Sequence, residues 1–139
     1  MKVIVISIFL SLLFSCSKPE IIKTKSELLR NKEALITGYN SSFLSDLIGL
    51  GTRLNIRFVE LNKKKLDSDP INGLPTSLIV KEGKHEFTVS CFGYFDSVQV
   101  YNPLTVELDA KSGRKYLLRP YLSKWGCEAK FLDVTDKKS

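Results

Sequence analysis

Residues 82–91 read Glu82-Gly83-Lys84-His85-Glu86-Phe87-Thr88-Val89-Ser90-Cys91, and this stretch decides the fold. It opens on a glycine turn, after which His85, Phe87, Val89 and Cys91 alternate with polar residues. Successive side chains of a β-strand point to opposite faces of the sheet, so a period of two predicts a strand with one buried face. We therefore expect a strand here, with Phe87, Val89 and Cys91 directed into a core.

The same period recurs along most of the chain. Further strands are expected at residues 34–37, 54–58, 77–80, 97–101, 104–108, 115–121 and 127–134. Turn-forming residues separate them, at 81–84, 102–103, 111–114 and 124–126. Seven or eight short strands at a spacing of roughly 8–12 residues are typical of a β-sandwich or a small barrel. We predict an all-β fold, a two-sheet antiparallel β-sandwich.

The first sixteen residues have the pattern of a secretory signal. Lys2 precedes an apolar run at residues 3–14, which is shorter than the roughly 20 residues that span a bilayer. The run ends in Leu13-Phe14-Ser15-Cys16, which resembles a bacterial lipobox. This resemblance implies cleavage before Cys16 and a lipid on its sulfur. The alternative is an ordinary signal peptide or an N-terminal anchor helix.

The lipobox divides the chain into three parts. Residues 1–15 are expected to be a lipoprotein signal peptide, 16–32 a lipidated cysteine and tether, and 33–139 the sandwich domain. Several acyl chains on Cys16 give a stable membrane anchor. In the enterobacteria-like sorting that the lipobox resemblance implies, Ser17 after the cysteine indicates the outer membrane, facing the periplasm. Apolar pairs at 21–22 and 28–29 allow a short amphipathic helix in the tether, although we favour a partly ordered spacer.

Two cysteines remain once Cys16 carries lipid, and they form an even pair. Cys91 shares the apolar face of residues 85–91, and Cys127 lies on the same strand face as Phe131, so both sulfurs should point inward. The periplasm is oxidising. We predict a Cys91–Cys127 disulfide, with two buried free thiols as the alternative.

The charge of the chain bears on its partners. The formal net charge is +6 and the pI is about 9.2. In the cytosol such a balance would suggest nucleic acid, but in a cell envelope it favours anionic lipid headgroups, lipopolysaccharide or the wall. We therefore expect no nucleic-acid partner. The alternative is that the basic surface serves solubility alone.

Part of the chain is similar to a known class of protein. The pattern V-x-L-x-A-x-x-G-x-x-Y-x-L at residues 106–118, followed by Cys127 and Asp133, resembles the C-terminal half of small proteobacterial lipoproteins with a transthyretin-like or PEGA-like sandwich. The pattern E-G-K-H-x-F-x-V at 82–89 is similar to their earlier turn and strand. The resemblance covers about residues 77–133. It implies an envelope location and a binding or structural role, and it supplies no catalytic residues.

The sequence offers little support for catalysis. The chain has a single histidine, His85, and the inward face of a strand favours a satisfied core or rim residue. A serine hydrolase needs a nucleophile held beside a base, and the chain has no G-x-S-x-G motif. The Asp67-Ser68-Asp69 segment lacks the glycine and distal glutamate of a calcium loop, so a polar loop is favoured. We predict a protein that is not an enzyme and has no cofactor or metal.

Two segments are candidates for contact with a partner. Lys63, Lys64 and Lys65 form the densest basic run, expected at a turn or strand start, where they could contact an anionic surface. The alternative is a solvated turn. A short helix is also expected within residues 39–51, and its apolar side chains could dock a partner. These side chains are Phe43, Leu44, Leu47 and Ile48. The alternative is that they plug one end of the sandwich.

Together these features predict an outer-membrane-anchored lipoprotein. It would act as a non-catalytic binding or structural/accessory subunit of the cell envelope, with the membrane and an envelope protein as partners. A free-standing ligand- or wall-binding module is the alternative. A lysozyme-type inhibitor is disfavoured, because a positively charged protein would repel cationic lysozyme.

Overall fold

The alternating stretch at residues 83–91 lies in an interior strand that is longer than predicted. The structure, a computed structural model, describes residues 23–40, 52–71, 73–95 and 98–137. These residues form the short helix α1 (Lys25–Arg30) and eight strands. The strands are β1 (Glu33–Gly38), β2 (Thr52–Leu61), β3 (Lys64–Lys65), β4 (Ser77–Lys81), β5 (Gly83–Phe95), β6 (Val98–Ala110), β7 (Lys115–Ser123) and β8 (Gly126–Asp133).

The strands assemble into two four-stranded sheets. Sheet A has the order β4-β1-β7-β8, and sheet B has the order β3-β2-β5-β6. Their facing side chains enclose one core, so the predicted sandwich is confirmed. One detail differs, since β1 and β7 are parallel while the other neighbouring strands are antiparallel. Parallel neighbours need a crossover connection, and here the chain between them builds β4 and all of sheet B.

Aromatic side chains form the centre of the core. Phe58 of β2 and Phe87 of β5 are fully buried, with ring centroids 5.9 Å apart. Phe87 also meets Phe131 of β8, in the opposite sheet, at 5.5 Å. Phe87 therefore joins the two sheets, at a position that the alternation of residues 83–91 predicts to face inward.

A disulfide links the two sheets within the same core. Cys91 of β5 and Cys127 of β8 are bonded, with Cα atoms 6.4 Å apart. Both residues are buried, at 0% and 3% exposure. The predicted pairing is confirmed, and so is the inward direction of both side chains.

The predicted turn at Asn102-Pro103 is wrong. Strand β6 runs through both residues without interruption, and Pro103 pairs with Ser90 of β5. Proline cannot donate a backbone hydrogen bond, so within sheets it is confined to edge strands, strand starts and bulges. Because β6 is an edge strand of sheet B and Pro103 is exposed, the missing donor is tolerated there.

Helix α1 lies in the segment predicted as a tether, of which residues 16–22 are outside the described part. Thr24 Oγ1 accepts a hydrogen bond from Glu27 N, and the Glu27 carboxylate accepts one from Thr24 N, which forms a capping box. Leu28 is fully buried. A short helix forms at the end of this segment and packs against the sandwich. The predicted amphipathic helix would also include residues 21–22, which lie outside the described part, so the choice between that helix and a spacer stays open.

The turn after β6 holds α1 in place, which gives a testable expectation. Gly113 has φ +77°, and an added Cβ would lie 2.5 Å from Leu29 Cγ. Gly73 has a similar φ of +72°, with nothing within 4 Å of the added Cβ. We expect Gly73→Ala to cost about 1–2 kcal/mol for left-handed backbone. Gly113→Ala should cost a further ~1–3 kcal/mol for the clash.

Urea unfolding of the two variants measures this difference. Equal losses would mean that Leu29 moves aside freely and that the contact between α1 and the turn contributes little.

Candidate functional site

Two of the predicted sites lie outside the described residues. Cys16, the predicted lipid attachment point, is one. The other is the apolar cluster of Phe43, Leu44, Leu47 and Ile48. Lipidation and partner docking at these positions therefore stay predictions.

The lysine run forms the tip of a β-hairpin. Asn62 and Lys63 have φ values of 51° and 66°, and two consecutive positive values are typical of the tight turns that join antiparallel strands. Lys64 and Lys65 form β3, paired with the end of β2. All three lysines are exposed, as a turn or strand start predicts. Contact of these lysines with an anionic surface stays a prediction.

His85 is held on both sides of its ring. Asn62 Nδ2 lies 3.0 Å from His85 Nδ1, and His85 Nε2 lies 2.6 Å from the Lys81 carbonyl oxygen. Because Asn62 Oδ1 accepts a hydrogen bond from Glu86 N, the amide must present its NH₂ group to the ring. His85 then accepts at Nδ1 and donates from Nε2, so both ring nitrogens are used. The prediction that His85 is a satisfied core or rim residue is confirmed.

A shallow pocket of about 390 Å³ lies beside this ring, at one end of sheet B. Its lining includes Lys84, Glu86, Glu107 and Asp109. Glu86 and Glu107 are directly opposed across β5 and β6, while Lys84 opposes Asp109. The Lys111 ammonium also donates to Asp109 at 2.8 Å, which holds the pKa of that carboxyl below its usual value. Charged side chains therefore line this pocket together with Leu108, and its described lining contains no cysteine, serine or threonine.

The acidic segment before β4 is a turn. Asp69 Oδ1 accepts a hydrogen bond from Ile71 N at 2.7 Å, and the Asp69 and Gly73 backbones bond to each other in both directions. The predicted polar loop is what forms. Within the described part of the chain, no group of three or more histidine, cysteine or acidic residues is arranged to hold a metal.

Sequence reasoning missed the most exposed aromatic side chains among the described residues, which lie on the β7–β8 hairpin. Trp125 in its turn is 79% exposed, with Lys124 Nζ 5.1 Å from the ring centroid. Tyr121 of β7 is 43% exposed, and Lys130 Nζ lies 5.8 Å from its ring centroid. A hydrogen bond with Glu128 raises the pKa of Tyr121. The signal was available, because residues 124–126 were predicted to be a turn and a tryptophan in a turn has no core to enter.

Comparison with known proteins identified no relative of this chain. No protein family, curated protein or solved structure matches it. The likeness to transthyretin-like or PEGA-like lipoproteins therefore stays a prediction. Among residues 23–40, 52–71, 73–95 and 98–137, no helix is long and apolar enough to cross a membrane. What the fold defines is a disulfide-linked β-sandwich with polar, basic and aromatic surfaces.

Proposed function

We propose that the protein is a bacterial envelope lipoprotein, anchored in the outer membrane by lipid on Cys16 and facing the periplasm. Its β-sandwich acts by binding, as a structural or accessory subunit of the envelope, and performs no catalysis. The lipobox-like end of the apolar N-terminal run supports the anchor. The alternative of a free-standing module shares the same anchor and differs only in its partner.

The buried Cys91–Cys127 disulfide is the observation that carries the proposal. Disulfides persist in oxidising compartments and are rare where thiols are kept reduced. This one joins two sheets inside a core, which favours a structural rather than a catalytic role for the pair. Of the three cysteines in the chain, only Cys16 is then left for lipid. Export, oxidation and lipidation are consistent with one another.

The surroundings of His85 support binding rather than chemistry. A general base needs a ring nitrogen that can reach a substrate proton. Asn62 and the Lys81 carbonyl engage both nitrogens of this ring, and Asn62 is itself fixed by the backbone of Glu86. The described surface instead exposes lysines on the β2–β3 hairpin and aromatic residues on the β7–β8 hairpin. Both kinds of side chain are suited to contact with a binding partner.

The anchor can be tested by labelling cells with radioactive palmitate. Wild-type protein should incorporate the label, and Cys16→Ser should incorporate none, because the acyl chains are attached at this cysteine. The matched control is the double variant Cys91→Ser/Cys127→Ser, which loses the other two sulfurs and should keep the label. Label in the Cys16→Ser variant, or none in the wild type, would refute the anchor.

A further inference from the structure

The outer face of sheet A, meaning its side chains that point away from the core, carries a row of aliphatic residues. Each is partly exposed and stands outside the buried core cluster, while the apolar residues beside it on the strand belong to that cluster or pack against it. The row consists of Leu35, Ile79, Leu117 and Leu132. Leu35 pairs with Ile79, and Leu117 pairs with Leu132. Across β1 and β7, Leu35 is opposite Lys115 and Leu117 is opposite Thr37, so the two aliphatic pairs lie on a diagonal of the sheet.

Two cations lie beside this row and directly face each other. Arg119 of β7 and Lys130 of β8 form a cross-strand pair, and both are exposed. Like charges directly opposite are destabilising in an antiparallel pair. Neither cation lies within ion-pair distance of a carboxylate in the described part of the chain. An external anion would relieve this repulsion.

Towards the tip of the β7–β8 hairpin, the outer face of sheet A carries aromatic residues. Tyr121 follows Arg119 on the same side of β7, and Trp125 with Lys124 occupies the turn. Tryptophan and tyrosine prefer boundaries where one part of the ring is apolar and the other wet, as at the headgroups of a bilayer. Lysine and arginine near an anionic lipid surface are attracted to it.

The carboxylates of this face are already engaged. Glu33 accepts from Lys23 Nζ at 2.8 Å and from Lys81 Nζ at 3.3 Å, which lowers its pKa. Glu128 is hydrogen-bonded with Tyr121. The outer face of sheet B is different, because the acidic pocket residues lie there. Of the two faces, the outer face of sheet A is therefore the one suited to an anionic surface.

We infer that the outer face of sheet A, with the Trp125 turn, rests on an anionic lipid bilayer. This inference rests on the proposed function, since it assigns the orientation of an anchored domain. The contact between Lys23 and Glu33 places the first described residue beside this same face. A domain lying on it keeps both the start of the described chain and the Trp125 hairpin at the bilayer surface. An acidic protein would suit the cations but leaves the aliphatic row unexplained.

The test uses full-length protein purified from membranes and reconstituted into vesicles. Trp125 is the sole tryptophan of the chain, so its fluorescence reports its own surroundings. In vesicles of phosphatidylcholine and phosphatidylglycerol, emission should shift to shorter wavelength and quenching by iodide should fall. In phosphatidylcholine vesicles, Trp125 should stay accessible to iodide. The double variant Arg119→Gln/Lys130→Gln should lower the ratio of docked to undocked domain about thirtyfold.

The matched control is Lys84→Gln/Lys111→Gln, which removes two exposed cations beside Asp109 on the sheet B side and should leave the Trp125 signal unchanged. Water-like emission in phosphatidylglycerol vesicles would overturn the inference and would favour an acidic protein as the occupant. An equal loss in the control pair would overturn it in favour of diffuse attraction. Both failures differ from failure of the anchor, which palmitate labelling measures without reference to Trp125.

Discussion

Breaking the Cys91–Cys127 disulfide is expected to lower the free energy of unfolding by about 4 kcal/mol. The two cysteines are 36 residues apart, and closing a loop of this size removes conformational entropy from the unfolded chain. Because both residues are buried between the sheets, the variant Cys91→Ala/Cys127→Ala should also leave a small packing defect. Reduction of the bond in otherwise unchanged protein separates the loop effect from the packing effect.

Guanidinium unfolding in the presence and absence of reductant gives the measurement. The matched control is Cys16→Ser, which removes the third sulfur and should leave the stability of the sandwich unchanged in either condition. A difference below about 1 kcal/mol between oxidised and reduced protein would contradict the expectation. It would mean that the unfolded chain is already compact between the two cysteines.

The local pattern of the sequence predicts much of this fold. Alternation alone places Phe87, Val89 and Cys91 on one strand face, because the side-chain period of a strand follows from its geometry. Parity does the same for Cys127, so the disulfide could be predicted without knowing the sheet order. The turn at Asn62-Lys63 also follows from local chemistry, since asparagine tolerates positive φ.

The errors come from properties that depend on the assembled sheets. Pro103 was predicted to end a strand, because an edge position cannot be recognised from residues 97–108 alone. The parallel pairing of β1 and β7 also escaped, since residues distant in sequence choose their partner through tertiary packing. The opposition of Arg119 and Lys130 requires the register of β7 and β8. The basic and aromatic outer face of sheet A could therefore be recognised only in the structure. The lysine run is different, because its three residues are adjacent in the sequence.

Replacing Phe87 with alanine should destabilise the domain by about 3–5 kcal/mol, the usual cost of removing a buried phenylalanine. Its ring is fully buried and contacts Phe58 in sheet B and Phe131 in sheet A. Losing it removes apolar contacts on both sides and opens a cavity that the disulfide-linked sheets cannot easily close.

The matched control for Phe87→Ala is Trp125→Ala, which removes a larger aromatic side chain from a position that is 79% exposed. Exposed substitutions usually change stability by no more than about 0.5 kcal/mol, so this variant should unfold at nearly the wild-type denaturant concentration. A large loss in Trp125→Ala would show that the hairpin tip supports the fold. In that case its exposure could not be attributed to a role at a bilayer. The expected result is a small loss of stability in Trp125→Ala and a large one in Phe87→Ala. That result would show that Phe87 holds the two sheets together and that Trp125 is free to make contacts.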